Sequence, residues 1–323
     1  MDATLLIMWL GFILAGYSVI GNDSIQTLGT FLSSNEQRPW YVLWLFAGSI
    51  LSASLLYSWY SFSGDVSYGR LEKYPLPADF NWAYLLPPLT LMVITRFGIP
   101  VSTSFMILTF FNPSNLSKMV NKSLLGYVLA FAAAIVIYSV IAKIVEKRFI
   151  ERSITPRETI IWTILQWCST SFLWAQWLIQ DFANIYAYLP RQLSTGSMAI
   201  SLTVLLLLLA FIFRARGGSI QKVVKSKVNT VDIRSATIID FTYGMVLLYF
   251  TEVNRIPMST TWVFVGLLAG RELALRYRLD QKLELSTFRM IGFDLVKIFF
   301  GLLISVLLVV IMKWLTGGDA SWG

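Results

Sequence analysis

The chain contains no histidine, a single cysteine and few charges, with only 14% of its 323 residues being Asp, Glu, Lys or Arg. The absence of histidine excludes His-ligated zinc, haem with a His ligand, a Ser-His-Asp triad and His proton shuttles. Cys168 cannot form an internal disulfide, and its place inside an apolar run makes it read as a small core residue. Residues 1–20 carry neither a basic leading region nor a small-residue cleavage site, so the first apolar segment is expected to stay as a membrane helix. No nucleophile–base pair and no metal set can be assembled from what remains. The expectation is a protein that is not an enzyme and needs no cofactor.

What the chain has in abundance is apolar surface: 56% hydrophobic residues, 12 Trp, 22 Phe and a mean hydropathy of +0.65. That composition belongs to a polytopic, all-α integral membrane protein in contact with lipid. Apolar runs at 3–20, 41–60, 83–97, 98–112, 123–146, 159–180, 197–213, 237–253, 256–270 and 290–315 give ten candidate segments. A crossing needs about 20 residues, so 83–97, 98–112, 237–253 and 256–270 read as tilted or discontinuous helices, broken near Pro100 and Pro257. The net charge of +8 sits in short loops, which speaks for membrane orientation and against a nucleic-acid partner. If every segment crosses, one side holds 18 Lys and Arg and the other 7, with Lys297 inside a span. The richer side is cytoplasmic, which places both termini outside the cytoplasm.

The stretch "GNDSIQTLGT" at 21–30 puts polar groups where hydrocarbon is expected, and its spacing returns in "QDFANIYAYL" at 180–189. Asn22 and Asp23 match Gln180 and Asp181, Gln26 matches Asn184, and the offset is 158. A second pair, "GIPVSTSF" at 98–105 and "RIPMSTTW" at 255–262, recurs in the same order at an offset of 157. Two motifs sharing nearly one offset indicate an internal duplication, with repeats over 1–150 and 151–323. Five crossings per half is an odd number, so the repeats are expected to be inverted, the usual build of secondary transporters with a midplane site.

In a helical turn, Asp23, Gln26 and Thr27 share one face, as do Asp181 and Asn184. Hard oxygen ligands of this kind suit a small cation such as Na⁺, and a lone carboxylate suits H⁺. Asn22, Asp23, Gln26, Gln180, Asp181 and Asn184 are therefore the candidate cation ligands, with Asp23 and Asp181 as the Na⁺ anchors. The alternative is that each Asp merely caps a helix. Ser102, Thr103 and Ser104, and Ser259, Thr260 and Thr261, follow Ile-Pro dipeptides, where a helix start offers free N–H groups and a positive dipole end. With Thr27 they form a candidate oxyanion site. Glu252 with Arg255, and Asp294 with Lys297, read as i,i+3 pairs; Asp240 has no sequence partner and is a candidate for a cation path. Arg96 faces either the cytoplasm or an anion in transit.

At these residues the chain resembles the inorganic phosphate transporter (PiT) family, whose members carry duplicated G-x-N-D-x-x-N-A and G-x-P-V-S-T-T-H type motifs. Gly21, Asn22, Asp23 and Gln26, then Gln180, Asp181 and Asn184, match the first. Gly98, Pro100, Val101, Ser102 and Thr103, then Pro257, Ser259, Thr260 and Thr261, match the second. Gln26 and Gln180 replace Asn, Ser104 replaces Thr, and Phe105 and Trp262 stand where the motif ends in His, marking a divergent, short member. The resemblance implies a cation-coupled symporter of inorganic phosphate, driven by Na⁺ or H⁺, in the plasma (inner) membrane and assembled as a homodimer. Sulfate or another oxyanion as substrate, and a passive anion channel, stand as alternatives.

Overall fold

Hydrocarbon offers no water to the backbone, so a chain this apolar must close its hydrogen bonds within helices or a barrel. The computed structural model describes residues 3–78, 80–96, 101–141, 154–216, 232–253, 257–278 and 285–316, which form eleven α-helices and, among the described residues, no strand. They are α1 (Ala3–Val19), α2 (Ile25–Ser34), α3 (Trp40–Ser61), α4 (Leu86–Arg96), α5 (Thr103–Phe111), α6 (Leu116–Ile141), α7 (Pro156–Tyr186), α8 (Thr195–Arg214), α9 (Ile233–Val253), α10 (Thr260–Arg278) and α11 (Leu285–Thr316). Stretches Ala3–Ser24, Trp40–Ser61, Pro113–Val140 and Thr195–Arg214 are long and apolar enough to cross a membrane. Their outer faces and those of α11 expose Leu45, Leu56, Leu207, Phe211, Phe299, Leu303 and Leu307, an apolar surface suited to lipid. The protein is an integral membrane protein.

Cys168 belongs to this outer surface. It is exposed on α7, on the side that carries Ile161, Ile164 and Leu165, and is not in the core. An apolar run in a membrane protein faces lipid as readily as interior, so hydropathy alone does not separate the two.

The polar break after the first apolar segment is not a helix end. The chain passes through a π turn, Ile20–Ser24, and continues as α2. Ser24 Oγ donates to the Ile20 carbonyl within that turn. Widening one turn rotates the helix beyond it, and such bulges turn side chains into functional sites. In the second half the equivalent residues lie in the last two turns of the 31-residue α7, which starts with a capping box between Thr155 and Glu158 and Pro156 in its first turn. Neither Asp23 nor Asp181 caps a helix.

The short pieces expected around the Ile-Pro breaks appear unequally. α4 and α5 have 11 and 9 residues, about 16 and 14 Å at 1.5 Å per residue, too short to span alone. α9 and α10 are longer, 21 and 19 residues. α10 runs past the expected limit to Arg278, stabilised by an i,i+4 pair in which Arg276 Nε lies 2.6 Å from Glu272 Oε1. Residues 97–100, with Gly98 and Pro100, and 254–256, with Arg255, lie outside the described residues, as do the side chains of Gln26, Arg96, Asp294 and Lys297.

Two long helix pairs hold the bundle: α10 runs along α6, and α9 along α7. On α10, Gly266 and Gly270 let the backbones touch. A Cβ at either would come within 2.4 Å of Tyr127 O and 2.3 Å of Phe131 O respectively. This small-xxx-small face is how helices approach closely where no hydrophobic force acts between them. In turn, α5 lies against α11, and α3 packs against α8.

Candidate functional site

Two helix N-termini meet at the centre. Ser102 is extended, its Oγ accepts from Phe105 N–H at 3.2 Å, and α5 begins. After Pro257 the same turn recurs: Ser259 Oγ accepts from Trp262 N–H at 3.3 Å at the head of α10. Phe105 and Trp262 pack edge to face, 5.5 Å between ring centroids, so the aromatic residues that replace the motif's histidines clamp the two helix starts together.

Onto this junction α1–α2 and α7 bring their carboxylates. Thr103 Oγ1 lies 2.6 Å from Asp23 Oδ2 and 3.4 Å from Asp181 Oδ1, and accepts from Asn184 Nδ2 at 3.1 Å. Asn184 Nδ2 also reaches Asp181 Oδ1 at 2.5 Å and Ser104 Oγ at 3.1 Å. Asn22 Nδ2 donates to Asp23 Oδ1 at 2.7 Å and to the Val101 carbonyl at 3.2 Å. From the other half, Thr261 Oγ1 reaches Asp23 Oδ1 and the Val101 carbonyl, each at 3.4 Å, and Thr260 faces Asp181. Each carboxylate thus touches residues from both sequence halves.

The cluster is dry: Asn22, Asp23, Asp181 and Asn184 are at most 1% exposed, and Ser102, Thr103, Ser104, Ser259, Thr260 and Thr261 at most 3%. Two carboxyl groups share one hydroxyl in a low dielectric, an arrangement that calls for a proton or a cation between them. Among the described residues, four acceptor oxygens have no hydrogen-bond partner: Asn22 Oδ1, Gln180 Oε1, Asp181 Oδ2 and Asn184 Oδ1. Leaving a buried acceptor unsatisfied costs about 1–3 kcal/mol, so four in one duplicated motif mark a place for something that accepts lone pairs. Carboxylates, amides, hydroxyls and carbonyls are hard oxygen donors, which fits a small monovalent cation.

Not every expected residue faces the carboxylates. Gln180 Nε2 donates to Thr251 on α9 at 2.8 Å, Thr27 Oγ1 donates back to the Asp23 carbonyl at 3.1 Å, and Ser104 Oγ donates to the Met258 carbonyl at 3.1 Å. Ser259 N–H donates to Ser123 Oγ on α6 at 2.8 Å. Sequence reasoning missed three contributors: the Val101 carbonyl, Ser123, and Tyr243, whose hydroxyl donates to the Thr260 carbonyl at 3.0 Å. A carbonyl leaves no mark in a sequence. Asp240 is fully buried elsewhere, accepting from Thr30 on α2 and Thr170 on α7, each at 2.5 Å.

No protein-family profile matches the chain, and neither does any curated protein sequence. Among solved structures it is similar to one titled "The sodium-dependent phosphate transporter", at 14% identity and a TM-score of 0.62, over 97% of this chain and 100% of that one. At that identity the likeness speaks of architecture. The chain has the fold of that transporter.

Proposed function

We propose that the protein is a divergent PiT-family secondary transporter that moves inorganic phosphate with Na⁺ or H⁺. In this reading residues 1–150 and 151–323 are inverted repeats. Asn22, Asp23, Gln26, Gln180, Asp181 and Asn184 serve the cations, and the Ser-Thr heads of α5 and α10, with Thr27, serve the anion. The observation that carries it is the convergence of Asp23 and Asp181 on Thr103, surrounded by amide and carboxylate oxygens that have no partner among the described residues. Cations filling those positions relieve the repulsion between the carboxylates and present positive charge to an oxyanion at two helix N-termini. Binding of the two solutes is then linked, because an anion entering without its cations meets two buried negative charges.

The test is uptake of labelled phosphate into proteoliposomes under Na⁺ and then H⁺ gradients, with sulfate as competitor. Accumulation that stops when the cation gradient is collapsed is expected. Flux that simply follows the anion gradient would make the protein a passive channel, and sulfate uptake in place of phosphate would change the substrate.

A further inference from the structure

A second buried carboxyl lies away from the central site. Asp240 on α9 is fully buried; its Oδ1 accepts from Thr30 on α2 and its Oδ2 from Thr170 on α7, each at 2.5 Å. Because α2 follows Asp23 and α7 holds Asp181, Asp240 ties α9 to both carboxylate-bearing elements. Among the described residues, no Lys or Arg pairs with Asp240 and no other acid touches it. One turn along α9 stands Tyr243, whose hydroxyl goes to the Thr260 carbonyl instead, and the described residues of α6 and α10, which also pack on α9, set no charged group against Asp240.

An ionised carboxylate held in hydrocarbon without counter-charge is costly, and a bound proton or metal ion removes that cost. The surrounding oxygens decide between the two. Around Asp23 and Asp181 acceptor oxygens stand unmatched, whereas both oxygens of Asp240 are met by hydroxyls and neither threonine keeps an unmatched polar atom. Three satisfied side chains make a poor shell for a metal ion, which needs several oxygens at once. They suit a proton. When Asp240 is protonated its O–H donates to one threonine oxygen, and that threonine's own hydrogen turns to the carbonyl one turn back in its helix, a common acceptor for a helical threonine.

A line of polar groups leads from this carboxyl to the end of the bundle. One turn beyond Thr30, Ser34 Oγ donates to the Thr30 carbonyl at 2.9 Å and accepts from Gln166 Nε2, itself one turn from Thr170. Gln166 Oε1 accepts from Asn35 Nδ2 at 2.8 Å, and Asn35 Oδ1 accepts at 3.1 Å from Nε of Arg38, which is exposed. Gln166 and Asn35 are at most 4% exposed, so this seam between α2 and α7 is polar throughout yet closed.

We propose that Asp240 is a proton-binding site separate from the central cluster, which exchanges its proton with water along the α2–α7 seam at the end marked by Arg38. Its bearing on phosphate movement rests on the transport reading; the proton site itself does not.

The experiment follows the protonated-carboxyl band of the reconstituted full chain by infrared spectroscopy as pH is raised, with Asp240→Asn and Thr170→Val alongside. The unmodified protein should lose, as pH rises, a band that Asp240→Asn lacks throughout. Thr170→Val removes a hydroxyl that favours the ionised form, so the proton is held more tightly and the midpoint should move up by about one pH unit. Identical spectra for the unmodified protein and Asp240→Asn would overturn the proposal, as would an Asp240 band that persists at every pH, the mark of a permanently protonated structural group. Should Asp240→Asn fail to fold, the Thr170→Val midpoint decides alone, and an unmoved midpoint removes the site. Labelled-phosphate uptake in the same vesicles, with equal pH on both sides, should show a pH step at the band's midpoint that is missing in Asp240→Asn. If the unmodified protein moves no phosphate, the transport reading falls and the infrared result still judges the proton site; normal uptake with one pH profile for both proteins severs Asp240 from transport alone.

Discussion

At the scale of single residues, Thr103 is the joint of the site. Its one hydroxyl proton goes to Asp23, its lone pairs face Asn184, and Asp181 stands within reach. Thr103→Ser keeps that hydroxyl and should leave transport within about twofold, whereas Thr103→Val removes a bond to a charged acceptor worth about 1.5–3 kcal/mol and should lower phosphate affinity by roughly tenfold or more. Uptake kinetics of the two variants check this, and equal behaviour would reduce Thr103 to a packing residue. Asp23→Asn and Asp181→Asn keep size and hydrogen bonding but remove the charge that, in the proposed reading, holds a cation. Uptake should be lost, or its cation dependence shifted to higher concentration, while expression and thermal stability hold. If both variants retain normal cation-dependent uptake, the carboxylates have no part in the mechanism.

At the scale of elements, the duplicated polar spacing placed Asp23, Asp181, Asn184 and the two Ser-Thr helix starts correctly in one neighbourhood, because matched polar groups in hydrocarbon must find each other. The π turn was not legible. Its signal, "IGNDS", reads equally as a helix end, and only packing decides that the chain continues. The lipid-facing position of Cys168 was hidden for the reason that apolar pattern ranks residues by solvent and not by neighbour. The close crossing of α6 and α10 was present as "GLLAG" and went unread. Gly266→Leu should cost about 1–3 kcal/mol through overpacking against Tyr127 O, and more if the helices separate. Gly196→Ala on α8, where an added Cβ meets nothing within 4 Å, serves as the control and should be neutral or slightly stabilising. Melting temperatures in one detergent compare the two.

At the scale of the whole molecule, the 18 to 7 division of basic residues still sets the expected orientation, with both termini extracytoplasmic. Gly318→Cys in a Cys168→Ser background should react with an impermeant thiol reagent on intact cells. Labelling that needs lysis would reverse the topology. The two halves meet at a common centre, yet they are not mechanically alike. Asp23 rides on a turn whose hydrogen-bond ladder is already widened, while Asp181 is set in an unbroken 31-residue helix. A loosened ladder opens with less work than an intact one, so amides at 20–24 should exchange hydrogen sooner than those at 178–184. Equal protection of the two stretches would cancel the difference. If it holds, the proposed transport reading gains an order of release, with a cation at the compliant Asp23 leaving before one at the stiff Asp181, set by a single wide turn.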